Sequence, residues 1–203
     1  KSKAKHFKIG TKGEFGCFSL ASTKIAVSGQ GGVLVTNDRS LYEKATRFKD
    51  WGRFMTKGIT HASIGFNFKF TDIHASIGLA QLDKLPISID RVNKIHEKYL
   101  NAMQDLPFLT LLPVDVGVGG IPIYNEVLCP QRGKLIQYLE SKNIQARPFA
   151  PDLNTAEYFG NTERFPNSEI FGNQGICLPC GPGQPLENID RVIDALRSFG
   201  RKI

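Results

Sequence analysis

The 203-residue sequence is short of sulfur and of tryptophan, with four Cys, two Met and a single Trp. Cys17, Cys129, Cys177 and Cys180 are too sparse for a disulfide framework. Cys177 and Cys180 make a lone C-x-x-C. A zinc site needs a second pair of Cys or His ligands at suitable spacing, and none is evident, so no metal is expected and the thiols read as reduced and structural. No apolar run approaches the ~20 residues that a membrane-spanning helix requires. The opening Lys1-Ser2-Lys3-Ala4-Lys5 has no apolar stretch behind it, unlike a signal peptide. These absences lead to the expectation of a soluble, cytoplasmic protein with no membrane partner.

Acidic residues are outnumbered 19 to 26 by Lys and Arg, giving a net charge of +7. Lys1, Lys3, Lys5, Lys8 and Lys12 face only Glu14 in the first fourteen residues, so the basicity is partly local. No zinc-finger spacing, aromatic RNA-binding motif or basic helix accompanies it, and nucleic acid is not an expected partner. A solvated basic edge explains the cluster. A basic nucleic-acid binder using residues 1–12 is the weaker rival. Acidic small molecules such as nucleotide sugars also suit a mildly basic protein.

Along the chain, Gly16 to Ala21 reads as a short apolar strand, and Val33-Leu34-Val35 as a β-branched one. Lys24 lies between them, beside the turn Ser28-Gly29-Gln30-Gly31-Gly32. Asp38 caps a helix carrying Leu41, Ala45 and Phe48, with Gly52 as its stop. Residues 53–64 read as a loop. Thr71-Asp72 opens a second helix to about Leu85, apolar enough to be buried on most sides. Pro86 is expected to break it. A third helix, about 87–105, turns Val92, Ile95, Tyr99 and Met103 inward. Strands follow at 108–114, 121–128 and 144–149, with a helix at 132–142 between the last two. Residues 151–173 read as a Pro/Asn/Gly-rich connection. A short strand at 176–178 precedes a closing helix with Ile189, Val192, Ile193, Leu196 and Phe199 on one face. The second part forms a small α+β unit, which sets the expected domains at 1–106 and 107–203. The first part has too few strands to enclose its helices and reads as the latter portion of a larger domain.

A lysine is a nucleophile only when part of it is neutral, which calls for burial or nearby charge. Lys24 is flanked by Ala21 and Ile25-Ala26-Val27. Ser19, five residues earlier, offers a hydroxyl near a strand end, and Gly29, Gly31 and Gly32 allow close approach of backbone to a ligand. Such a set suits a cofactor held by an amine and a phosphate arm. A lysine whose apolar stem lies along the surface is the other reading.

The ordered motifs narrow this choice. Phe18-Ser19-Leu20-Ala21-Ser22-Thr23-Lys24, Ser28-Gly29-Gln30-Gly31-Gly32, Thr36-Asn37-Asp38 and Asp50-Trp51-Gly52 come first. Gly65-Phe66-Asn67-Phe68-Lys69-Phe70-Thr71-Asp72 runs on to Ile77-Gly78-Leu79-Ala80-Gln81-Leu82. Ala146-Arg147-Pro148-Phe149, Phe165-Pro166-Asn167-Ser168-Glu169 and Leu178-Pro179 follow. Together they resemble the DegT/DnrJ/StrS family of sugar aminotransferases, which depend on pyridoxal 5′-phosphate (PLP), over essentially the whole chain. The resemblance implies an α/β chain of PLP-dependent transferase fold type I, with a partial large domain followed by a small α+β C-terminal domain. It implies that Lys24 holds PLP as a Schiff base and later shuttles a proton. Ser19 would bond the cofactor phosphate. Asn67 or Lys69 would reach the phosphate of the partner subunit's cofactor across a dimer interface. Arg147 would bind substrate carboxylate or diphosphate. His61 and His74 read as packing or surface residues.

The implied reaction moves an amino group, with glutamate as the expected donor, to a nucleotide-linked keto sugar in lipopolysaccharide or other glycan biosynthesis. Lys24 argues against the family's dehydratases, which carry His there. Trp51 stands where the family has His, and Gln30 where it has Glu. The family's acidic partner for the pyridine nitrogen, its ring-stacking aromatic and its first phosphate turn precede the lysine segment. None lies in this sequence, so the chain alone is expected not to be competent. It would associate with the missing N-terminal half or form a homodimer. The alternative is a non-catalytic interaction or regulatory remnant of the same fold.

Overall fold

The computed structural model describes residues 8–53, 61–159 and 163–203. Lys1, Lys3 and Lys5 of the basic opening, residues 54–60 of the expected loop and residues 160–162 of the Pro/Asn/Gly-rich stretch lie outside them. By its contacts the chain divides into Lys1–Leu85 and Pro86–Ile203.

In the first unit, β1 (Gly16–Ser19) pairs antiparallel with β2 (Gly32–Val35), Phe18 facing Val33 and Ser19 facing Gly32. Helix α1 (Arg39–Lys49) follows. Asp38 caps it as its sequence predicts, accepting from the backbone N–H groups of Ser40 and Leu41. The chain then turns back along the end of α1. Phe66 N donates to Phe48 O, Trp51 N to Phe66 O and Phe68 N to Lys49 O. Period-two alternation puts Phe66 and Phe68 together against Phe48, with ring centroids 5.0 to 6.2 Å apart. Gly52, at φ 71, is packed so tightly on Ser63 that any Cβ there would strike that residue's carbonyl.

Helix α2 (Asp72–Ala102) begins where Thr71 Oγ1 meets the His74 N–H and Thr71 O accepts from Ala75 N. Two helices were expected here, and the structure has one, running unbroken through Pro86. The proline removes one N–H, and the carbonyl it leaves belongs to Leu82, a half-exposed residue that water can reach. The first half of α2 is also less buried than its composition suggests. Ile73 is 73% exposed and Leu79 65%, because among the described residues nothing in this unit covers that face.

In the second unit four antiparallel strands lie in the order β3-β4-β6-β5: β3 (Thr110–Leu111), β4 (Asn125–Leu128), β5 (Arg147–Pro148) and β6 (Gly175–Leu178). β3 and β4 are shorter than their apolar runs, since Pro113 and Pro122 have no N–H for a ladder. Helix α3 (Arg132–Glu140) closes with Asn143 at φ 56. Ile144 N bonds Leu139 O and Asn143 N bonds Glu140 O, a Schellman closure with Leu139 and Ile144 both buried. Helix α4 (Pro166–Gln174) occupies part of the stretch read as a connection. Pro166 suits a first helical turn, and tertiary contacts add what the composition hides: Arg132 donates to Gly172 O, and the rings of Phe149 and Phe171 stack. Helix α5 (Leu186–Gly200) buries the face its periodicity predicts, Ile189, Val192, Ile193, Leu196 and Phe199.

The later half of α2 belongs to this core, with Val92, Ile95 and Tyr99 inaccessible, which is why the contact division falls at Leu85/Pro86. Tyr99 OH donates to Pro179 O, and burial pushes the phenol up from its usual value. Among the described residues, every buried hydrophobic side chain lies between Val92 and Phe199. Leu139→Ala in this core is therefore expected to cost about 2–5 kcal/mol. Leu79→Ala, on the exposed face, should stay within about 0.5 kcal/mol. Urea unfolding of the two variants beside the native protein checks the contrast.

Candidate active site

Lys24 sits in the twelve-residue connection of the β1–β2 hairpin. That connection is closed on itself. Leu20 N bonds Gly31 O, Ser28 N bonds Leu20 O, and Lys24 N bonds Ala21 O in a tight turn. Ser28 is fully buried and its hydroxyl donates to Gln30 O at 2.6 Å. The ends of the loop are thus fixed by backbone bonds, with Lys24 on its crest. Its side chain is exposed, and among the described residues it forms no ion pair. Its apolar neighbours Ile25, Ala26 and Val27 are themselves only half-buried. Ser19 ends β1, exposed. Its Oγ takes a long 3.4 Å bond from Ala21 N, leaving its O–H to donate outward.

Gly31, at φ 92, lies so that a Cβ would come within 2.5 Å of the Phe70 ring, a Cβ on Gly32 would strike the Phe18 carbonyl, and Gly29, at φ 87, faces His74 at ordinary contact distance. His74 is held by Thr71, with Oγ1 2.7 Å from Nδ1, in accord with a packing role.

Asn67 and Lys69 are brought together. Lys69 Nζ lies 2.6 Å from Asn67 Oδ1 and 3.2 Å from Asp50 Oδ1, and 3.4 Å from the centre of the Trp51 ring. Asp50 Oδ1 also meets Arg53 Nη2 at 2.6 Å, and the Arg53 guanidinium lies 4.5 Å from the Trp51 centroid. The Arg53 hydrogen bond, with that of Lys69, holds the Asp50 carboxyl below the usual carboxylate range against the opposing effect of partial burial. Trp51 adopts a left-handed backbone, φ 54, which is strained for a bulky residue and fixed here by its bond to Phe66 O. Asp50, Trp51 and Arg53 had no assigned role in the sequence. The only available signal was the lone Trp in a motif position where the family has His.

Arg147 lies in the second unit, exposed, on the short edge strand β5. Strand register places Glu126, Cys177 and Arg147 in one row across β4, β6 and β5. A surface cavity of about 510 Å³ is lined there by Arg147, Arg191, Gln145, Asn188, Tyr124 and Cys177, among others. Burial, then Glu126, pushes the Cys177 thiol up, and burial does the same for Cys180 and Cys129. All four cysteines are free. Among the described residues no group of three or more His, Cys, Asp or Glu could hold a metal, and no helix is long and apolar enough to cross a membrane.

The side chains suit PLP in kind: an amine outside the ion pairs of the described residues for its aldehyde, with a hydroxyl and a carboxamide or an ammonium for its phosphate. Residues 2–197 match the DegT/DnrJ/EryC1/StrS aminotransferase family, and the chain belongs to it. It is 31% identical over 201 residues to GDP-perosamine synthase of Escherichia coli O157:H7, covering 98% of this chain and 55% of that protein. It is 30% identical to the putative pyridoxal phosphate-dependent aminotransferase EpsN of Bacillus subtilis (strain 168), covering 92% of this chain and 50% of EpsN. Among solved structures, Helicobacter pylori PseC, an aminotransferase of pseudaminic acid biosynthesis, superposes with a TM-score of 0.87 at 22% identity, over 99% of this chain and 57% of PseC. The chain thus spans about half the length of the relatives it matches. Over that span its fold is α/β, type I among PLP-dependent transferases.

The Asp50 network has a pH signature. A carboxyl with a depressed folded value contributes stability above its unfolded value and loses it as pH falls through the folded one. Trp51 is the only tryptophan, so its fluorescence reports the network directly. It is expected to change in acid with a midpoint below the usual carboxylate range, and Asp50→Asn should remove that transition.

Proposed function

We propose that this chain carries the cofactor lysine of a PLP-dependent aminotransferase that transfers an amino group from glutamate to a nucleotide-linked keto sugar. The reading extends to cytoplasmic lipopolysaccharide or related glycan biosynthesis. It is supported by relatives described as GDP-perosamine synthases, and by a Salmonella typhimurium relative described as lipopolysaccharide biosynthesis protein RfbH. The observation that carries it is Lys24, its side chain exposed and outside the ion pairs of the described residues, on a loop whose two ends are tied by hydrogen bonds, with the Ser19 hydroxyl at the base of that loop.

Bound PLP supplies an aldehyde that exchanges amines and a ring that withdraws electrons. The chain's own residues supply the rest. Lys24 would anchor the cofactor through its amine and, once freed, that amine would carry the proton between the substrate carbon and the cofactor C4′. Ser19 donates to the phosphate. Asn67 or Lys69 reaches the phosphate in a neighbouring subunit, and the active form is a homodimer. Arg147, in the polar cavity it shares with Arg191, binds the substrate diphosphate in bidentate fashion.

The first unit leaves Phe18, Val33, Leu34 and Val35 between 40 and 51% exposed. That exposure favours a further polypeptide segment, or a second copy, against the hairpin, and full turnover is proposed to need it. Schiff-base formation tests the reading with the fewest parts. Added PLP should give an aldimine absorption band with the native chain, and Lys24→Ala should lose it. A native chain that leaves the PLP spectrum unchanged overturns the reading.

A further inference from the structure

Two neighbouring residues, Asn67 and Lys69, compete for the same phosphate, and the contacts around them separate their tasks. An ammonium has three N–H donors and no acceptor. Those of Lys69 meet the Asn67 carboxamide oxygen at 2.6 Å, the Asp50 carboxylate at 3.2 Å and the Trp51 ring face at 3.4 Å. None is left for a ligand. The same contact fixes Asn67, because a group that only donates must face the amide's oxygen and turns its NH2 away. Alternation along residues 66–69 puts Phe66 and Phe68 on the Phe48 side and leaves Asn67 and Lys69 together on the other.

We infer that Lys69 is a positioning residue, clamped by Asp50 and Trp51, and that it orients the Asn67 carboxamide so that its two N–H donors point outward to an anion. Trp51, where the family has His, is the platform of the clamp. Its ring attracts the ammonium by a cation–π interaction, and its strained left-handed backbone brings the ring under it. Arg53 shares the carboxylate and lies against the same ring, so Asp50 is held from two directions. The inference rests on the cofactor reading for the identity of the anion, and on the side-chain geometry for the clamp.

Two NMR readouts separate these. In the ligand-free native chain, the Asn67 side-chain NH2 signals should be dispersed from those of freely exposed carboxamides, and the Lys69 Hε protons shifted by the Trp51 ring current. Lys69→Met should collapse the Asn67 pair, and Trp51→Ala should move it in the same direction and abolish the Hε shift. Trp51→Phe, which keeps a ring, should retain part of both. Pyridoxamine 5′-phosphate, which has no aldehyde to react with lysines, is the probe. It should move the Asn67 NH2 signals more than those of Lys69, with binding about tenfold weaker in Lys69→Met, the worth of one charge-assisted hydrogen bond. An Asn67 pair unchanged by Lys69→Met overturns the inference alone, as does a probe response at Lys69 with none at Asn67. A native chain in which the probe moves neither residue overturns the cofactor reading beneath it.

Discussion

Apolar burial is unevenly shared along this chain, and the rest of the structure follows from that. Ile95 through Leu106 of the helical segment, Val127 and Ile176 of the sheet, Leu135 and Leu139 of α3, and the inner face of α5 form one closed cluster. Removing such side chains from water is worth roughly 25 cal/mol per Å² of apolar surface, which makes the second unit the one that can carry its own stability. Among the described residues the first unit buries no hydrophobic side chain. Its order comes from short-range devices instead: a capped helix, a hairpin closed by backbone bonds, three packed phenylalanines, and glycines where aromatic rings or carbonyls come too near for a Cβ.

Lys24, Ser19, Asn67 and Lys69 are on that less buried unit, and the same devices pre-orient them. Lys24 is exposed among the described residues, yet its loop is held by the pairing of Leu20 with Gly31 and Ser28. Lys69 and Asn67 are held by an acid, an aromatic ring and each other rather than by burial. A loop tied at both ends loses little further entropy when it takes up a ligand, which is how a surface site is made specific. Exposure and order are therefore compatible at these positions.

Much of this was legible in the residues. The Asp38 cap, the α5 stripe, the two hairpin strands and the lysine between them follow from periodicity and capping chemistry, and the family from the spaced motifs. What was not legible depended on partners distant in sequence. Pro86 sits inside a helix whose freed carbonyl can be solvated. Pro166–Gln174 is helical because Arg132 and Phe149 meet it. Ile73 and Leu79 have an apolar pattern with nothing in their own unit to cover them. The packing of Gly31 against Phe70 was hidden for a related reason, since composition shows that a Cβ is absent and not which ring lies beside it. The Trp51 clamp was hidden because its members, Asp50 and Lys69, are nineteen residues apart and join only when the chain folds back along α1.

The central claim is that Lys24 is the cofactor lysine, and reductive trapping addresses it most directly. The chain is incubated with PLP and reduced with borohydride, and its peptides are mapped by mass. The account predicts a single dominant phosphopyridoxyl label on the peptide containing Lys24. A label spread over the surface lysines, with Lys24 no richer than the others, would contradict it.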